Sequence, residues 1–416
     1  MSRRRTLLVV AGGTEAVAGI ERAREMGLHV VVSDGSATAP GLAAADDTLI
    51  ASTYDVEATV AAATRYHETV RPIDGVVCIA SDVPLTVAAV ADALGLPGVP
   101  VATALLATDK LAMKDRLATD AIALPWYAPV DGVAALRTLT RSEGPALVIK
   151  PVDSRGARGV IKLDADSDLD WAYGEAHAHS PSGRVMVERY LPGPQISTES
   201  IVVDGVAHTI GLADRNYEGL ERFAPFMIED GGELPSRLPA ADQAAICALV
   251  QRTTQSLGVR NGVVKGDIVL HEGEPTVIEM ALRLSGGYLC TYEIPLSTGV
   301  DFVGHAIRVA LGEAPTAKEL TARRAVGVAQ RWLFPEPGRV SSIDGVAEVS
   351  ARPDVALCEV RVAVGSIVGP VHSHPARAGV VIATGATRED AVRAAQDAIA
   401  SIRIVTEPAV AASAGP

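Results

Sequence analysis

Val263-Val264-Lys265-Gly266-Asp267-Ile268-Val269-Leu270, then His271-Glu272-Gly273-Glu274, then Pro275-Thr276-Val277-Ile278-Glu279-Met280: two apolar, β-prone runs flank a polar turn, the pattern of an antiparallel hairpin. Folding at that turn sets Asp267 and Glu279 face to face on adjacent strands. Asp267 stands between Gly266 and the apolar Ile268-Val269-Leu270, and Glu279 follows Val277-Ile278, so both carboxylates call for cations. Carboxylates paired in this way suit Mg²⁺, which keeps several waters and takes one or two carboxylates plus substrate phosphates. The other reading is a solvated sheet face carrying alternate acids. Four residues past Glu279 comes Arg283, ahead of Leu284-Ser285-Gly286-Gly287. It can neutralise a transferring phosphoryl group or a developing oxyanion, or it can simply pair with Glu279. The two glycines let bare backbone N–H groups approach an anion.

Upstream, the apolar strand Ala146–Lys150 ends in a lysine that needs an anion, and then enters Pro151-Val152-Asp153-Ser154-Arg155-Gly156-Ala157-Arg158-Gly159. This small, basic loop joins strand to strand and suits folding over a triphosphate. It does not open a helix, so it is not the G-x-x-x-x-G-K-[ST] loop. Of 37 basic residues only six are lysine (Lys110, Lys114, Lys150, Lys162, Lys265 and Lys318), so a lysine marks a place where the planar arginine fork would not serve.

The first hundred residues alternate strand and helix: strand Thr6–Val10, helix Glu15–Met26, strand Leu28–Ser33, strand Ile73–Ile79 and helix Leu85–Leu94. That is a doubly wound parallel sheet. Its first turn, Ala11-Gly12-Gly13-Thr14-Glu15, lacks the third spaced glycine of a dinucleotide fingerprint and sets Glu15 where a pyrophosphate would lie. Pro97-Gly98-Val99-Pro100 is a joint, beyond which a helix carries Asp109-Lys110 and Lys114. After about residue 320, strands and the helix Arg388–Ile402 form a small α+β piece, and the last dozen residues read as a frayed, disordered tail. A net charge of −13 without a basic, aromatic-studded stretch argues against nucleic acid. The scattered Cys78, Cys247, Cys290 and Cys358 make neither a disulfide framework nor a zinc site and point to the cytoplasm. No apolar run reaches membrane-spanning length.

In order and spacing, four motifs resemble the ATP-grasp superfamily across roughly residues 5–405: the Asp109-Lys110 helix start, Val148-Ile149-Lys150-Pro151 with its loop, Val187-Glu188-Arg189-Tyr190-Leu191-Pro192-Gly193, and Val277-Ile278-Glu279-Met280 with Arg283. The resemblance implies an ATP-grasp fold in three parts: a doubly wound domain over 1–100, an ATP-grasp domain over 101–320 with a flexible lid at about 115–190, and a C-terminal α+β domain over 321–416. It implies ATP contacts from Lys110, Lys150, Ser154, Gly156 and Gly159, an adenine-reading hinge at Glu188, Arg189, Tyr190 and Leu191, and a ribose contact at Gln195, where relatives often carry glutamate. Asp267 and Glu279 become the ligands of Mg²⁺, with Mn²⁺ as an alternative, and Arg283 the group that stabilises an acyl phosphate and a tetrahedral intermediate.

Carboxylase-like and purine-pathway members usually place asparagine two residues after the second metal glutamate, where this chain has Ala281. The string Glu279-Met280-Ala281-Leu282-Arg283 with Gly286-Gly287 is closer to the amino-acid ligase branch. The implied activity is therefore an ATP-dependent ligase that joins a small carboxylate to an amine, releasing ADP and phosphate. A purine-pathway or carboxylase-type ligase and a non-catalytic nucleotide-binding protein are the alternatives. Glu199, Arg215, Ser285, Gly286, Gly287 and Glu293 are candidate substrate contacts. Arg215 reads as part of a long polar connection. Small-molecule acid and amine are the expected partners, with no nucleic acid or membrane; a homodimer is left open.

Overall fold

The computed structural model describes residues 3–408. Contacts divide the chain into two compact units: one holds residues up to Pro125, Leu191–Leu212 and Arg237–Ala325, the other Trp126–Tyr190, Ala213–Ser236 and Val326 onward.

The first unit begins with a four-stranded parallel sheet, in the order Asp47–Ile50, His29–Asp34, Thr6–Val10, Gly75–Cys78. Its strands are buried runs (Leu7, Leu8, Val9, Val10; Val30, Val31, Val32), as a parallel sheet covered on both faces requires. The expected helix after the first strand starts as a 3₁₀ turn, Thr14–Ala16, before the α-helix Val17–Glu25. Asp34 closes the first turn from within the protein, accepting the N–H of Gly12 at 2.9 Å and of Ser36 at 2.8 Å. Gly41 donates its N–H to Gly12 O at 2.7 Å, and a Cβ there would stand 2.8 Å from Gly12 Cα. Backbone therefore packs directly on backbone at this turn.

The same unit holds an antiparallel layer. The strands Glu274–Ala281, Gly262–His271 and Gln195–Val203 lie side by side, followed by the first residues of Val206–Asn216. Alternate residues of these strands (Ile196, Val202, Val264, Ile268, Val277) pack with Met113 and Leu117 of helix Lys110–Thr119 and with Ile246, Leu249 and Val250 of helix Ala240–Ser256. Asp109 caps the first of these helices, accepting from Leu111 N–H at 2.9 Å and Ala112 N–H at 3.0 Å, so Lys110 is its first residue.

The second unit contains a four-stranded antiparallel sheet, ordered Tyr127–Val130, Val185–Arg189, Leu147–Pro151, Ile161–Lys162. The helices Val133–Glu143 and Leu169–Ala178 contribute Leu136, Ala172 and Ala176 to its core. Elsewhere in this unit the strands Gly231–Leu234, Gly327–Leu333, Gly379–Gly385 and Val355–Val360 run in that order. The helix Arg388–Ser401 packs along them, started by a reciprocal Thr387–Asp390 capping box. Two expectations are corrected here. Residues 405–407 of the expected tail belong to the strand Arg403–Glu407, which pairs with Gly338–Asp344; the rest of that tail, from 409, lies outside the described residues. Arg215 does not lie in a polar connection but near the end of strand Val206–Asn216, paired with Gly232. Among the described residues no helix is long and apolar enough to cross a membrane.

Candidate active site

In the first unit Asp267 and Glu279 are direct register partners across the hairpin, beside a bulge at Asp267/Ile268. Each carboxylate is met by a lysine. Lys110 Nζ lies 3.0 Å from Glu279 Oε1, and Lys265 Nζ bonds Asp267. Ser197 Oγ donates to Asp267 Oδ1 at 3.2 Å. One turn beyond Lys110, the fully buried Lys114 donates to the Ile278 carbonyl at 3.1 Å and ties its helix to the strand that carries Glu279. Lys265 and Lys114 had no role in the sequence reading beyond their rarity; that rarity was the signal that could have found them. Two hard oxygen donors already balanced by cations fit Mg²⁺, whose habit is one or two carboxylates plus phosphate oxygens. Among the described residues no third His, Cys or acid gathers with them.

Arg283 is half-buried, and its Nε makes no hydrogen bond. Its nearest acid is Asp82, at 3.6 Å, on the loop after strand Gly75–Cys78, not Glu279. Burial works against its charge, but Asp82 and then Cys78, Glu199 and Glu279 outweigh that and hold its pKa above the ordinary value. Ala80 N–H donates to Leu284 O at 3.1 Å and fastens the same loop to the segment after Arg283.

The glycine pair is engaged from two sides. Glu199 is fully buried and accepts the Ser285 N–H at 2.8 Å and also the Ser285 hydroxyl. Burial pushes its carboxyl up to about 7, against the pull of those two bonds and of Arg283 and Lys265. Gly287 donates its N–H to Glu15 Oε2 at 2.7 Å. So Glu15, set aside in the sequence reading, reaches the candidate segment, as does Asp82. Gly287 and Tyr288 both have positive φ (67° and 66°), and a π-helical turn, Leu289–Glu293, follows and ends at the buried Glu293. Left-handed non-glycine residues and π-turns are both enriched at functional sites. Leu191 and Gln195 also lie in this unit. Between them the chain passes at Gly193, where a Cβ would stand 2.2 Å from Leu270 O.

In the second unit Lys150 and Glu188 form a buried ion pair, Nζ to Oε1 2.6 Å. The loop after Lys150 winds through positive φ at Gly156 (63°), Ala157 (57°) and Gly159 (67°). Such turns present successive N–H groups to an anion. Asp153 anchors the loop's start by accepting from Ser180 Oγ at 2.7 Å and Ser182 N–H at 2.9 Å, and Ser154 follows it. Arg189 is exposed and pairs with Glu143 at 2.7 Å, while Tyr190 lies under Lys162 Nζ, 4.2 Å from the ring centroid. Arg215 is bound by Glu229 at 2.5 Å and lies over Tyr217. Phe223 and Phe226 are core residues.

Three family profiles match the chain: the ATP-grasp N-terminal domain over residues 20–98, the ATP-grasp domain over 107–287, and the L-amino acid ligase C-terminal domain 2 over 331–407. Matches that span nearly the whole chain include an uncharacterized protein, y4rH, of Sinorhizobium fredii, 25% identical over 96% of this chain and 82% of that protein. A formate-dependent phosphoribosylglycinamide formyltransferase of Burkholderia lata is 28% identical over 97% of this chain and 96% of its own. Among solved structures, an L-amino acid ligase from Bacillus licheniformis superposes with a TM-score of 0.83 at 22% identity, covering 98% of this chain and all of its own, a likeness of fold.

Proposed function

This chain belongs to the ATP-grasp superfamily as a carboxylate–amine ligase, and we propose that it joins two amino acids or closely related small molecules into a peptide-type amide. The observation that carries this reading is the facing of Asp267 and Glu279, four residues before Arg283, in a chain whose residues 331–407 match the L-amino acid ligase C-terminal domain.

In this reading ATP supplies the phosphoryl group, and Asp267 and Glu279 would hold Mg²⁺, which would screen its charge. The substrate carboxylate oxygen takes the γ-phosphoryl group, giving an acyl phosphate and ADP. Lys110, turning from Glu279, and Lys150, kept in place by Glu188, offset the repulsion between the two anions. The loop Ser154–Gly159 offers backbone N–H groups to the phosphates, and the hinge Glu188–Leu191 with Gln195 holds the nucleoside. The amine nitrogen then attacks the acyl carbon, a proton leaves it, and phosphate departs with the C–O bonding pair. Arg283 stabilises the oxyanion of that step. Glu199 and Glu293, both buried acids, are candidates to bind or deprotonate the amine; Ser285, Gly286, Gly287 and Arg215 line substrate. The three-part domain division of the family, with a hinged lid, belongs to the same proposal.

The test is phosphate release with ATP and Mg²⁺ across pairs of amino acids, with products weighed by mass spectrometry. A product lighter by one water than the pair, formed one-to-one with ADP, is expected. The full-length likeness to a formyltransferase favours the second reading. Release that requires formate and a phosphoribosyl amine, and no amino acid, would establish that one instead.

A further inference from the structure

The glycine loop is held from outside by a stretch of chain that none of these roles uses. His374 donates its backbone N–H to the Gly156 carbonyl at 2.9 Å. A Cβ on Gly156 would stand 3.2 Å from Pro375 Cδ, so the loop's tip rests on that ring. His374–Ala376 is a single 3₁₀ turn, and it is itself anchored. Buried Arg377 donates through Nε to His374 O at 3.0 Å and through Nη1 to Glu229 O at 3.4 Å, with its guanidinium 3.6 Å from the Trp332 ring centroid. His372 stacks on Phe226, centroids 4.3 Å apart, and Phe226 bridges to Ile161 in the strand that leaves the loop. One segment therefore grips both the tip of the loop and its exit.

The loop it grips is costly to order. Glycine loses more backbone freedom than any other residue, and a binder that must order such a loop does so at the expense of affinity. Fixing Gly156 from outside fixes the left-handed run Gly156-Ala157 before any ligand arrives.

We propose that His372–Arg377 is a positioning brace for the glycine loop, pre-organising it and so setting the affinity for ATP. The brace itself is read from contacts within one unit; its link to ATP rests on the proposed function above.

Two variants separate backbone from side chain. His374→Pro removes the N–H donor at the first position of a 3₁₀ turn, after an extended Ser373, where proline is tolerated. His374→Ala keeps that donor and removes the ring, whose Nε2 accepts the Glu229 N–H at a long 3.5 Å. Arg155 and Arg158 lie within the loop, so trypsin reports its opening directly when fragment ends are identified by mass. In His374→Pro, cleavage at these arginines and the KM for ATP should each rise on the order of fivefold, the worth of one hydrogen bond, with kcat within about twofold. His374→Ala, losing only that long bond, should change each by less than about twofold. Should His374→Pro fail to fold, Pro375→Ala carries the test, with cleavage about twofold faster. Wild-type cleavage in the folded His374→Pro chain, or equal acceleration in His374→Ala, would overturn the brace. If cleavage rises but ATP neither protects the loop nor changes in KM, the brace stands and the assignment of the loop to ATP fails.

Discussion

Two lysine–glutamate pairs of similar composition serve different ends. Lys110–Glu279 joins a helix start to the hairpin, with side chains 10% and 30% exposed; Lys150–Glu188 has 5% and 4%. In the mechanism proposed above it is this more open pair that exchanges partners, Glu279 turning to a metal and Lys110 to a phosphate. The closed pair is enclosed by its own sheet, where losing one charge leaves the other stranded in a low-dielectric interior. Exposure, more than residue type, separates a carboxylate that can act from one that holds a lysine in place.

The sharpest way to break this comparison is to make the same change in both pairs. Glu279→Gln should lower turnover by about a thousandfold or more, with the melting temperature moved by less than about 2 °C. Glu188→Gln should instead lower stability by about 3 kcal/mol, read as a large drop in the thermal midpoint. Equal midpoints in the two variants would erase the distinction.

Arg283 comes next, because it tests whether the open pair has a third member. If Arg283 acts on the oxyanion, Arg283→Ala lowers kcat on the order of a hundredfold with little change in ATP affinity. If it only balances Glu279, excess Mg²⁺ should restore kcat in a phosphate-release titration. Its place nearer Asp82 favours the first outcome.

Glu199 sharpens the comparison from the other side, being as buried as Glu188 but answered by a serine instead of a lysine. Its carboxyl is raised to about 7 from an ordinary 4.5, so the folded chain holds this proton more tightly than the unfolded one. The stability it contributes is complete below about pH 4.5, declines as pH rises toward 7, and is level above. Denaturant midpoints of Glu199→Gln should lack that decline, a difference of about 2–3 kcal/mol across the window. The smallest effect expected is from Lys150→Arg. It keeps the charge beside Glu188 and hence the fold, but its planar fork should raise the KM for ATP about tenfold. An unchanged KM would make Lys150 a structural cation only.

Local pattern made much of this legible. The hairpin register followed from alternating apolar residues around a polar turn, and the facing of Asp267 and Glu279 came with it. Lysine scarcity drew attention to Lys110 and Lys150. What pattern could not carry was contact between distant segments. Glu15 reaches Gly287, and Asp82 reaches Arg283, through the way strand ends of the parallel sheet meet a segment some two hundred or more residues later. The short edge strand Asp47–Ile50 was invisible because its half-buried alternation spans only four residues. Arg215 misread as loop because polar side chains interrupt its strand, where backbone pairing with Gly232 decides the conformation.

The placement of the six lysines has a use in chemical footprinting. Lys318 is the one exposed lysine; Lys162 and Lys265 are half-buried, and Lys110, Lys114 and Lys150 are buried. Four of the five shielded amines touch a carboxylate or a backbone carbonyl at the positions discussed above, and the fifth covers Tyr190. Among lysine side chains, labelling by an amine-reactive reagent would therefore fall mainly on Lys318, which serves as an internal standard. Labelling at Lys110, Lys114, Lys150 or Lys265 would report directly on the opening of these contacts, without a tag, a mutation or an assay of turnover.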